Sequence, residues 1–166
     1  MATPTTLPAT FVAGNVLTAA QMNNLRGAFR VLQVVQGSTT TIVTNATSTY
    51  ADTTLTATIT PSSATSQILC FVSHPSCYKS SANTENRMAL RLVRGSTTIY
   101  QIANELGITN TAMNLLFAAS ATYLDSPATT SATTYKTTFM NAQNTGTVIT
   151  QTGNVASTLI LAEISA

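Results

Sequence analysis

The sequence predicts an all-β protein: a single antiparallel β-sandwich, jelly-roll-like, preceded by an extended N-terminal arm and one short α-helix. Three observations carry that expectation. About one residue in five is threonine, a β-branched side chain whose stiff χ1 suits a pleated strand. From residue 30 onward apolar and polar residues alternate with period two, in runs broken by turn formers. The 166 residues are enough for one domain with a sizeable core.

The chain divides into a docking arm with a helix over 1–29 and a sandwich over 30–166. Residues 1–10 hold Pro4, Pro8 and four threonines, so they have no basis for a regular element and should run extended. Thr18 then caps a helix, and Gln21 three residues on completes a capping box. Leu17 and Met22 stand at the hydrophobic-staple positions. The helix is predicted over 19–26, stopping at Gly27 or continuing through it toward Arg30 at a cost of about 1 kcal/mol for the internal glycine. Met22, Leu25, Phe29 and Leu32 have heptad-like spacing, yet two heptads are marginal for a coiled coil, so a short helix packing its apolar face on the sandwich or a docking partner is expected.

Ten strands follow, near 30–36, 40–44, 53–60, 67–73, 87–94, 97–102, 114–124, 134–141, 147–150 and 157–164. The third shows the pattern most clearly. Leu55, Ala57 and Ile59 face one way and Thr54, Thr56, Thr58 and Thr60 the other, which predicts one core face and one face toward solvent or a partner. Arg94-Gly95-Ser96 and Asn144-Thr-Gly146 each separate two apolar runs and read as hairpins.

Composition narrows the function. Only 7% of residues are charged, against about 25% in ordinary soluble domains. A neutral, threonine-coated surface gives up the repulsion that keeps free proteins apart, so much of it is expected to meet other protein chains. Arg87, Arg91 and Arg94 lie close together, but a net charge of +2 and no basic stripe make nucleic acid an unexpected partner. No apolar run approaches a membrane span and the N-terminus has no signal-peptide pattern, so membrane insertion is not expected and synthesis in a cytosol is.

The chain offers little for chemistry. Cys70, His74 and Cys77 are spaced C-x3-H-x2-C without an obvious fourth ligand, and on a strand Cys70 and His74 would share a face with Val72. The expected reading is a buried thiol beside a histidine at the strand end, with no metal. A disulfide would require a turn at Pro75, and free thiols are expected in a reducing cytosol. Asp52, Glu85, Glu105, Asp125 and Glu163 form no recognisable pair or triad with the lone histidine. With no nucleophile elbow and no phosphate loop, neither an enzyme nor a cofactor is expected.

Four stretches together resemble structural proteins of tailed bacteriophages: residues 11–25 (FVAGNVLTAAQMNNL), 92–99 (LVRGSTTI), 124–135 (LDSPATTSATTY) and 157–164 (STLILAEI). The resemblance spans most of the chain and implies a virion-surface component, a homotrimer whose arm docks on other virion proteins of the tail or capsid. The docking positions it implies are Leu7, Phe11, Val12, Val16, Leu17, Met22, Leu25 and Phe29. A short tail-fibre-like appendage is the first expectation, able to engage a host surface glycan or receptor through loop residues between Tyr78 and Asn86. A capsid decoration (cement) protein is the alternative, because the sandwich follows the helix without the shaft of a long fibre.

Overall fold

The computed structural model describes residues 31–80 and 83–165. The arm, the capped helix and all eight docking positions from Leu7 to Phe29 lie outside the described residues. Ten strands are described: β1 (Val31–Thr39), β2 (Val43–Asn45), β3 (Ala51–Ile59), β4 (Gln67–Lys79), β5 (Met88–Arg94), β6 (Thr97–Leu106), β7 (Leu115–Asp125), β8 (Thr133–Asn141), β9 (Val148–Thr150) and β10 (Ser157–Ile164). Each predicted strand has its counterpart among them.

The strands form two antiparallel sheets. The larger runs β1-β10-β4-β9-β2 with β7 on the other side of β4, and the smaller runs β3-β8-β5-β6. Since β1 pairs with β10, β2 with β9, and β9 and β10 both with β4, the larger sheet is four rows wide, two of them interrupted. The pairings are nested. β5 and β6 close on Gly95-Ser96, and outside them come β4 with β7, β3 with β8, and β1–β2 with β10–β9, in alternate sheets. That is a jelly roll, a long hairpin rolled into a sandwich. Gly95 sits at φ +58°, the left-handed conformation that a two-residue hairpin turn demands.

The core lies between the sheets. At one end Leu55, Ile59, Ile68, Cys70, Tyr135 and Leu161 pack together, and toward the other end Cys77, Met88, Leu90, Phe139 and Val148 do so. As expected, Leu55, Ala57 and Ile59 are buried while Thr54, Thr56 and Thr58 are exposed.

Two expectations need correction. β4 does not end at Ser73 but runs on through Pro75 to Lys79. A register shift between His74 and Cys77 places the proline in a bulge, where the ladder needs no N–H from it. His74 is therefore mid-strand. The second correction concerns Asn144-Thr-Gly146. It joins β8 of the smaller sheet to β9 of the larger, so it is a crossover between sheets and not a hairpin.

Candidate protein interface

Cys70, Val72, His74 and Cys77 all turn inward from β4. Both cysteines are free thiols, and burial, helped by Asp125 at Cys70, pushes each thiol up to about 12. The chain does not turn at Pro75. His74 takes part in a polar network that links the sheets. Its Nε2 lies 3.0 Å from Thr137 Oγ1 and its Nδ1 lies 2.9 Å from Ser157 Oγ and 3.2 Å from Gln151 Nε2. Because the Gln151 amide nitrogen only donates, Nδ1 accepts and Nε2–H donates to Thr137. Burial pulls the His74 pKa down to about 4, so the ring is neutral at pH 7. Ser157 beside His74 has the spacing of a nucleophile and its base, but both side chains are fully buried, and a pair closed to solvent offers a substrate no access. Among the described residues no three His, Cys, Asp or Glu side chains gather as a metal site.

At the end where β1 begins, Glu163 is buried and held by Gln33 Nε2 (2.6 Å), Ser62 Oγ (2.7 Å) and the Ser62 amide (2.8 Å). Burial alone would raise its pKa. The hydrogen bonds overcome this and bring it down to about 2.

The two outer faces differ sharply in charge. On the smaller sheet Lys136 donates to Asp52 at 2.9 Å, Arg91 lies 3.6 Å above the Tyr50 ring, and Thr58 bonds Thr134 across the strands. On the larger sheet the outward positions form rows in register. Val34, Ala162, Leu69 and Leu124 make one, Gln36, Ile160, Phe71 and Thr122 the next, and Ser38, Thr158, Ser73 and Ser120 a third. Beyond the bulge, Thr44, Ile149, Tyr78 and Leu116 make another. None of these rows holds an Asp, Glu, Lys or Arg. Val34 is 60% exposed, Leu124 46% and Phe71 41%. The nearby charges turn inward: Glu163 as described, Asp125 toward Tyr135 and Arg94, and the buried Lys79 to Thr109 Oγ1 at 2.7 Å.

The chain matches no family model and no curated protein. The site therefore rests on its own geometry. A sequence signal for it exists in β4 and β10. Ile68-Leu-Cys-Phe-Val72 and Leu159-Ile-Leu-Ala162 are apolar at both parities, unlike the strict alternation of β3, so these strands place apolar side chains on the outer face as well as in the core. Val34 and Leu124 carry no comparable signal, because polar residues interrupt their strands at Gln33, Gln36, Ser120 and Thr122. The predicted docking positions, all before residue 31, lie outside the described residues.

Proposed function

We propose that this chain is a non-enzymatic structural subunit of a bacteriophage virion, a short tail-fibre-like appendage on the particle surface that assembles as a homotrimer and docks through its N-terminal arm. The uncharged outer face of the larger sheet carries the reading. Four rows about 4.8 Å apart and roughly a dozen residues long present a face with no charge to desolvate, and burying it against protein costs far less than burying a charged surface. The smaller sheet, with its threonines and ion pair, suits contact with water. The resemblance of residues 11–25, 92–99, 124–135 and 157–164 to tailed-phage structural proteins supports the virion address. The closed Ser157–His74 pair supports an assembly role over catalysis. A host surface glycan or receptor is the outward partner of such an appendage.

The direct test is quantification of the chain in purified particles by gel densitometry, with sedimentation of the isolated protein. A few dozen copies or fewer per particle and a trimer in solution are expected. Hundreds of copies would make it a capsid decoration protein instead, and absence from particles or a monomer at micromolar concentration would overturn the reading. Removal of residues 1–29 should abolish incorporation.

A further inference from the structure

The width of the uncharged face matches a particular assembly. Its strand rows follow the order β1, β10, β4, β7, and four rows at about 4.8 Å each span about 19 Å. When three such faces turn toward a common axis parallel to the strands, each face is one side of a triangle and every sheet lies about 5.5 Å from the axis. That is half of the roughly 10 Å by which packed sheets stand apart. Two rows would leave about 3 Å, too little for side chains, and six about 8 Å, too wide for them to fill. Along the 13 residues of β4 the face is about 43 Å long, so each copy offers on the order of 800 Å², what one partner gives to a specific interface.

Charge points the same way. Around a threefold axis a residue near the centre meets its own two copies, so any charge there is repelled by like charges. A foreign partner would impose no such rule, because it could answer a charge with its opposite. The rows nearest the axis belong to β10 and β4, which present Ala162 beside Leu69, Ile160 beside Phe71 and Thr158 beside Ser73, all uncharged. A rotation axis along the strands also keeps every residue at its own level. Val34 at one edge of the face and Leu124 at the other share a level, and both are exposed. We infer that this face is the surface through which three copies of the chain assemble, with Phe71 and Ile160 at the axis and Val34 of one copy against Leu124 of the next. The inference rests on the homotrimer proposed above and gives it an interface.

The test is a V34C/L124C double variant of the full-length protein. Within one copy the two positions stand three strand spacings apart, about 14 Å, too far for a disulfide, and the native Cys70 and Cys77 are buried. Mild oxidation should join copies only, giving a covalent ladder that ends at the trimer on a non-reducing gel, while each single variant runs as a monomer. A ladder that stops at the dimer, or one that continues past the trimer, would overturn the inference. Sedimentation of the unmodified protein separates the two ways of failing. A wild-type trimer without the crosslink would overturn this interface and leave the homotrimer standing, and a wild-type monomer would overturn both. Phe71→Asp gives an independent reading: the trimer should fall to a monomer that still unfolds cooperatively, whereas Thr58→Asp, at an exposed position of the opposite face, should keep the trimer. A folded Phe71→Asp protein that remains a trimer would overturn the inference equally.

Discussion

Tyr135 of β8 donates its phenolic hydrogen to Oδ2 of Asp125, the last residue of β7, at 2.7 Å. The bond ties the smaller sheet to the β7 edge of the larger, opposite β1. Arg94 Nη1 reaches the same oxygen at 2.7 Å, so a buried carboxylate is shared by a neutral and a charged donor. Burial, reinforced by Asp125, keeps the phenol protonated well above the ordinary tyrosine range. Tyr135→Phe removes one donor and leaves the ring's packing. It should cost about 1.5–3 kcal/mol, as expected for a hydrogen bond to a charged group, read as a lower urea midpoint at unchanged slope. A midpoint equal to wild type would mean that Arg94 alone satisfies the carboxylate.

Glu163 gives the fold an acid sensitivity of known sign. Its pKa falls from 4.5 to about 2 on folding, so its contribution is complete above about 4.5 and is lost as pH drops toward 2, where the folded state must also take up the proton. Glu163→Gln should lower the melting temperature at pH 7 and flatten its fall between pH 5 and 2. Parallel curves for the two proteins over that range would place the acid sensitivity elsewhere.

His74 acts in a higher window. The unfolded chain binds a proton near pH 6.5 and the folded one only near 4, so stability declines as pH falls from about 6.5 to 4. The chain has a single histidine, and its ring resonances can be followed by NMR without assignment by mutation. A titration midpoint near 4 is expected. A midpoint near 6.5 would show the ring to be hydrated, contrary to its bonds with Thr137 and Ser157.

At Gly37, β1 presses tightly on β3. A Cβ added there would fall on the carbonyl oxygen of Thr56, a backbone atom with little freedom to move. Gly37→Ala should therefore separate the two sheets along this edge and destabilise by about 1–3 kcal/mol, in the range of overpacked cores. Chemical denaturation measures it, and a loss under about 0.5 kcal/mol, typical of an uncritical surface site, would mean that β1 yields easily.

Much of this fold is legible along the chain because its signals are local. The alternation in β3 separates core from surface without reference to any other strand, and Gly95 marks its hairpin by backbone conformation alone. Pro75 misleads for the opposite reason. A proline ends most strands, and only the shifted pairing with β7 makes room for it in a bulge. The Asn144–Gly146 segment has hairpin chemistry, but whether the following strand pairs with its neighbour or crosses to the other sheet depends on partners far away in sequence. Ser157 meets His74 across 83 positions, and no spacing rule reaches that far.

The sequence by itself determined the fold class: β-branched residues and period-two alternation dictate strands, and scarce charge leaves a largely neutral surface. Tertiary structure decided which outer face is left without charge. Side chains from β1, β10, β4 and β7 become one uncharged surface only when the rolled hairpin brings those strands into register, while Asp125, Glu163 and Lys79 turn inward to partners held by the loops and the opposite sheet. The physical reason is range. Propensity and alternation act over a few residues, whereas a shared face and a shielded charge require the whole chain to be in place.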